Sequence, residues 1–289
     1  MRPRDLIELV RAPAALTVPG DSLAGAAAAG WPHAARTAAL PVASACFYWA
    51  GMALNDYADR DLDALERPER PIPSGRVAPR HAFGVATALT GVGLAAAAAA
   101  DGRRGLRAGV PLAAAVWGYD LMAKKTAAGP LVMAAARALD VALGAGPKPT
   151  RATTAVAAVA IHTTTVTALS RGEVHGTSSR IAQGAIAGTT VAALLAATPR
   201  RGQRVVERLT TCALAGTYLM TVGGAQLAAV DDPHAGTVRR ATSAGVRGII
   251  PLQAALIARS AAPGAAVLGV GLLGLGPLAR RASRLVSPT

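Results

Sequence analysis

The sequence predicts an all-α membrane protein, a bundle of nine or ten transmembrane helices, and three observations carry that prediction. Apolar residues make up 52% of the 289 positions and charged residues only 16%. Mean hydropathy is +0.36, too apolar for an ordinary soluble surface. Apolar stretches of about 20 residues recur along the whole chain, the length a helix needs to cross a hydrocarbon core about 30 Å thick. No polar block between them is large enough to fold separately, so residues 1–289 are read as a single polytopic domain.

Candidate spans fall at 12–30, 38–56, 82–100, 105–122, 127–146, 152–170, 181–198, 206–229, 243–261 and 264–282. Before and within the first, Arg2, Arg4, Asp5, Glu8, Arg11, Pro13 and Asp21 suit a first span better than a signal peptide. Only Ser260, Pro263 and Gly264 separate the last two, which leaves nine spans with a kinked end, or ten. With the N-terminus inside, Lys and Arg number 17 in inner segments and 11 in outer ones. The positive-inside rule therefore favours an inside N-terminus, although Arg103, Arg104, Arg200 and Arg201 lie on the other side. Four spans separate the 57–80 loop from the 171–180 loop, so both open on one face and can build one site. The expected location is a bacterial cell membrane, crossed many times, with the N-terminus and the site loops cytoplasmic.

A formal charge of +14 raises the question of nucleic acid, but aromatics are 3% and the basic residues sit between apolar runs rather than in a stripe. That pattern fits the lipid bilayer and an anionic ligand, not nucleic acid. Cys46 and Cys212 match no metal-binding spacing and read as small buried hydrophobes. Gly105 and Gly109 are spaced for close helix packing in lipid. Gly269-x-Gly271-x-x-Gly274 imitates a dinucleotide fingerprint, but it lies in an apolar span with no preceding strand, and it too reads as packing.

The chemistry concentrates at the end of the second span. Asn55, Asp59 and Asp63 fall at i, i+4 and i+8, so a continuing helix lines them on one face as a column of oxygen ligands. Such a short column suits Mg²⁺, a hard cation that completes its octahedron with water and phosphate oxygens. Asp56 and Asp61 lie off that face and read as supporting or solvent-facing groups. The run also imitates the start of an EF-hand loop, but position 6 is Ala64 rather than Gly and position 12 is Arg70 rather than Glu. Carboxylates that begin at the end of an apolar span are costly, and usually functional. The next stretch, Arg67 to Arg76, is basic and proline-stiffened, and arginine forks match phosphate geometry. Acids for a metal followed by bases for an anion are what a metal–diphosphate complex requires. Arg137 lies inside an apolar span with Asp140 three residues later, an intramembrane pair read either as functional or as mutually neutralising.

Asn55-Asp56-x-x-Asp59-x-x-x-Asp63 followed by Arg70-Pro71-Ile72-Pro73-Ser74-Gly75 resembles the first signature of the UbiA superfamily of intramembrane prenyltransferases. Leu9 to Pro13 with Asp21 and Gly25 resembles the family's opening helix, and Tyr119 to Lys125 with Gly129-Pro130 and Arg137 resembles its central helices. The resemblance implies that Asn55, Asp59 and Asp63 bind Mg²⁺ and that Arg11, Arg70, Lys125 and Arg137 hold a diphosphate. The family's second signature, two aspartates four apart, should fall near Ser170 to Gly176, where Glu173 is the only acid and Leu169 stands in the first position. Glu173 is therefore the candidate second metal ligand, with His175 beside it. The Ser-Arg-x-Glu-Val-His-Gly string is similar to the EboC-like subgroup of the superfamily.

These readings imply Mg²⁺-dependent transfer of a prenyl group from an isoprenoid diphosphate to a small-molecule acceptor that the sequence does not identify. Two alternatives stand beside it: cyclisation of the same diphosphate by a terpene cyclase, and non-catalytic binding or transport of a lipid or small molecule. Prenyl chain length and oligomeric state are not legible.

Overall fold

The computed structural model describes residues 2–12, 18–30, 36–262 and 264–274. Four helices open with proline at their first or second position, where its missing N–H costs nothing and its fixed φ suits the helix. They are α1 (Pro3–Leu9), α2 (Pro19–Ala29), α5 (Pro79–Gly118) and α6 (Gly129–Ala145). Between them lie α3 (Arg36–Ala58) and the short α4 (Arg60–Glu66). A 3₁₀ turn leads into α7 (Thr153–Ser170), followed by α8 (Ser179–Ala197), α9 (Val205–Tyr218), α10 (Gly224–Asp231), α11 (Ala235–Ala258) and α12 (Ala265–Gly274). Among the described residues every regular element is helical. Lipid explains this, because a helix satisfies its own backbone hydrogen bonds without water.

The 40 residues of α5 are two limbs rather than one rod. Asp101 (φ −145°) and Gly102 (φ +56°) leave the helical region, and the positive φ suits the glycine. A side chain at Gly105 would strike the carbonyl of Ala97, and Trp117 Nε1 donates to Thr90 Oγ1 at 3.0 Å, contacts that only a folded-back hairpin permits. The two limbs are the third and fourth predicted spans. Five described helical stretches, including this one, are long and apolar enough to cross a membrane. Helices occupy all ten predicted stretches, although Pro13, Pro263 and the ends of the first and last spans lie outside the described residues.

Lipid tails are as apolar as leucine, so helices in a membrane associate by close packing of small residues. The contact of α2 with α6 is the tightest case. Cβ atoms placed on Gly25 and Gly144 would run into the backbone of Val141 and Ser22 respectively. A large apolar cluster built from Ala24, Ala155, Tyr218, Leu252 and their neighbours fills the second half of the bundle. Gly269 of α12 packs on Ala254 of α11, the role expected for the glycine run, whereas Cβ atoms on Gly271 and Gly274 would meet nothing within 4 Å. Cys46 is buried as expected, but Cys212 is exposed, which corrects the reading of both as buried. It shares α9 with exposed Val205, Val206 and Leu209, and periodicity alone does not say which side of an apolar helix meets lipid.

Replacing Gly144 with Val should force α2 and α6 apart and lower the apparent unfolding midpoint in detergent by roughly 5 °C or more. Gly184→Val, where an added Cβ meets nothing within 4 Å, should change it little.

Candidate active site

The column formed by Asn55, Asp59 and Asp63 survives a bend in the backbone. Asn55 lies in the last turn of α3, Asp59 at the junction and Asp63 in α4. Asp59 N donates to Asn55 O at 2.9 Å and Asp63 N to Asp59 O at 2.8 Å, so the i, i+4 register continues across the junction. Polar groups from other segments then meet each side chain. Asn55 Nδ2 donates to Asp120 Oδ1 at 3.1 Å. Lys124 Nζ stands 2.8 Å from Asp59 Oδ1, and Arg70 donates to Asp63 Oδ2 at 2.6 Å.

Asp120 and Lys124 reach the column because the second limb of α5 ends in a π turn, Tyr119–Ala123, closed by Lys124 N donating to Tyr119 O at 2.9 Å. Such turns are frequent at functional sites. Asp56 takes the supporting place of its two readings and not the solvent-facing one. It is buried, with Arg11 at 3.0 Å and Arg70 at 3.4 Å, because α3 turns it inward towards α1 and the proline-stiffened loop. Arg11 holds a left-handed backbone conformation, φ 48°, uncommon for a residue with a side chain. Lys125, expected at the diphosphate, is exposed one residue beyond; Lys124 takes the place next to Asp59 because the π turn ends there.

Behind the column lies a cavity of about 260 Å³. Phe47, Leu112, Val116 and Met133 give it apolar walls, while Arg11, Asn55, Tyr119 and Asp120 line one end and Ser44, Arg137 and Asp140 the other. Ser44 and Asn55 are three turns apart on α3, about 16 Å. Arg137 therefore lies deep, away from the column. It does not pair with Asp140: its Nε bonds Asp21 Oδ2 at 2.7 Å, and Gln253 donates to the other oxygen of Asp21 at 2.8 Å. Asp140 instead accepts from Ser44. The side chain of Asp21 is fully buried, so the Arg137 guanidinium supplies the opposite charge that it needs.

The loop after α7 lies at the same end of the bundle as the column, because Arg171 donates to the carbonyl of Thr126. Glu173 is half-buried there; its carbonyl accepts from Arg239 at 3.4 Å, and among the described residues no ion pair joins its carboxylate to the column. His175 is exposed. Nearby, Arg76 grips α1 with two bonds to Glu8, at 2.7 and 2.9 Å, and one to Asp5 at 3.3 Å. The Arg2 backbone N–H and then Arg76 hold the Asp5 carboxyl below its ordinary value, against the opposing effect of desolvation.

No group of three or more His, Cys, Asp or Glu side chains among the described residues stands close enough to hold a metal ion alone. The donor set of Asn55, Asp59 and Asp63, flanked by Arg11, Arg70 and Lys124, suits Mg²⁺ arriving with an anion that supplies further oxygens. Sequence reasoning passed over Asp120, Lys124 and Ser44. An acid and a lysine at the end of an apolar span were the available signal for the first two; nothing marked Ser44.

Residues 15–169 match the UbiA prenyltransferase family. A digeranylgeranylglyceryl phosphate synthase of Natronomonas pharaonis is 42% identical over 92 residues, 32% of this chain and 33% of that protein. Another from Ignicoccus hospitalis is 45% identical over 91 residues, 31% and 29%. The match thus spans about a third of the length of these curated relatives, which are archaeal. Two solved structures share the fold. One, from work on digeranylgeranylglyceryl phosphate synthase in membranes, has a TM-score of 0.66 at 15% identity, covering 93% of this chain and 98% of that one. The other, a UbiA homologue from Archaeoglobus fulgidus bound to GPP and Mg²⁺, has a TM-score of 0.64 at 14% identity, covering 99% and 100%.

Arg137→Leu should strand Asp21 as a buried unpaired charge and cost about 3–5 kcal/mol of stability; adding Asp21→Asn should recover at least half of the lost midpoint shift in a detergent melt. A carboxyl with a depressed folded pKa stabilises above its unfolded value, and that contribution is lost as pH falls through the folded one. Hydrogen exchange of residues 3–9 should therefore accelerate below the ordinary Asp value of 3.8, and Arg76→Ala should move that onset to higher pH.

Proposed function

The chain belongs to the UbiA prenyltransferase family, and from that premise we propose that it transfers a prenyl group from an isoprenoid diphosphate to a small-molecule acceptor, with Mg²⁺. It is an integral membrane protein. One observation carries the reading: Asn55, Asp59, Asp63 and Asp120 alternate with Arg11, Arg70 and Lys124 at one end of a cavity whose walls are apolar. Oxygens for a cation and cations for an anion meet where an isoprenoid chain finds an apolar surface.

Asn55, Asp59 and Asp63 would hold Mg²⁺, which supplies Lewis-acid polarisation of the diphosphate oxygens when bound. Lys124 and Arg70 exchange Asp59 and Asp63 for phosphate oxygens, and Arg11 turns from Asp56 to the same anion. These three cations stabilise the negative charge that grows on the leaving diphosphate as the allylic C–O bond breaks. The acceptor then forms the new bond to the allylic carbon and gives up its proton. Phe47, Leu112 and Val116 exclude the water that would otherwise quench a cationic carbon to an alcohol. Tyr48 and Tyr119 line the same space and offer π electrons to it. Glu173, on the neighbouring loop, is the carboxylate available to a second ion. Arg137 is assigned to holding Asp21 rather than diphosphate.

The excess of basic residues in the segments on the column's side supports a cytoplasmic column. The names of the relatives make a prenylated glyceryl phosphate the first acceptor to try.

Detergent-purified protein should release pyrophosphate from geranyl, farnesyl or geranylgeranyl diphosphate in the presence of Mg²⁺ and an acceptor, and EDTA should stop the release. Asp59→Asn should lower the rate by 100-fold or more, about 2.7 kcal/mol of barrier. Release without acceptor, accompanied by terpene hydrocarbon, would identify a cyclase; no release from any of the three would overturn the enzymatic reading.

A further inference from the structure

The opposite face of the bundle carries a second cavity, about 340 Å³, between the Asp101–Gly102 turn and the turn after α6. Arg104 and Arg107 line it one helical turn apart, together with Leu139, Ala142, Pro147 and Pro149. It lies at the far ends of α5's limbs and α6 from the carboxylate column, so it is no part of the donor site. Three other arginines on this face are tied down. Arg200 donates to Ala28 O at 2.6 Å, Arg259 to Thr198 O at 2.8 Å, and Arg204 pairs with Glu207 at 2.7 Å. Arg104 and Arg107 make no hydrogen bond or ion pair among the described residues, and Asp101 beside the turn is already engaged.

Helix stability does not account for these two charges. They open the second limb of α5, where the helix dipole favours anions over cations. Two unpaired guanidinium groups in one concavity match the oxygens of a phosphodiester, which arginine forks bind with charge-assisted hydrogen bonds. Leu139 and Ala142 give the same cavity an apolar wall that inorganic phosphate would not use. With Asp101 engaged, no free carboxylate in the lining stands ready for the ammonium of a zwitterionic headgroup. We propose that this cavity binds the phosphate of an anionic phospholipid, with the first carbons of its acyl chains against Leu139 and Ala142. Basic pockets between membrane helices recognise such headgroups by this chemistry.

The test uses the full chain in neutral detergent, with phosphatidylglycerol, phosphatidylcholine or inorganic phosphate added. Binding to the folded state raises the apparent unfolding midpoint. Phosphatidylglycerol should raise it by roughly 2–4 °C, while phosphatidylcholine and phosphate should not. The R104A/R107A double variant should start from the parent's midpoint and helical circular dichroism and lose the rise, whereas R180A, at the other end of the bundle, should keep it. Native mass spectrometry should find a phosphatidylglycerol retained by the parent and absent from the double variant; this readout holds even if the variant's baseline midpoint moves. An equal rise with phosphatidylcholine, a rise with phosphate alone, or lipid retention in the double variant would overturn the proposal. None of these measurements depends on prenyl transfer.

Discussion

A charge inside a low-dielectric bundle must be met by an opposite charge or by hydrogen bonds, and most of what is specific in this structure follows from that constraint. Asp21 on α2 is met by Arg137 of α6 and Gln253 of α11, so one buried acid ties three helices that are far apart in sequence. Asp56 draws Arg11 and Arg70 to the end of α3. Asp59 and Asp63 take Lys124 and Arg70. Because each carboxylate already has a cation beside it, the site is organised before any ligand enters. A metal–diphosphate complex, with charge of both signs, exchanges partners with these pairs rather than creating new uncompensated charge.

Close packing supplies the frame that holds those pairs in place. Gly25 and Gly144 let α2 and α6 approach to backbone contact, which brings Asp21 within reach of Arg137. Gly102 and Gly105 fold α5 back on itself, and that reversal returns the chain to the column with Asp120 and Lys124 at its end. Small residues thus act at a distance from the chemistry. They set the helix positions that decide which charges meet.

Much of this was legible in the sequence because lipid imposes strong rules. Span length and the absence of polar blocks gave the helical bundle, and even the hairpin in α5 was anticipated by the charged gap at Asp101 to Arg104. The spacing of Asn55, Asp59 and Asp63 marked the column, since i, i+4 periodicity needs only a helix to hold. Cross-chain pairing was harder. Whether Lys124 or Lys125 meets Asp59 depends on a π turn that shifts the register by one residue, and no local pattern announces it. Arg137 was read with Asp140, its neighbour on the same helix, whereas its partner lies on α2, over a hundred residues earlier. For Asp56 the helix wheel leaves a supporting and a solvent-facing place open, because a wheel drawn for α3 alone omits α1 and the loop that cover its other side. Glu173 shares the correct end of the bundle with the column, yet its loop conformation was not a matter of periodicity.

The central claim is that the column and its cations form a joint Mg²⁺ and diphosphate site. Calorimetric titration of a non-hydrolysable farnesyl thiolodiphosphate into the detergent-solubilised protein, with Mg²⁺ and then with EDTA, tests it most directly. The account predicts at least tenfold tighter binding with Mg²⁺ in the parent, about 1.4 kcal/mol, and little Mg²⁺ dependence in an Asn55→Ala/Asp59→Asn variant. Equal affinity with Mg²⁺ and with EDTA, or undiminished Mg²⁺ dependence in that variant, would contradict it.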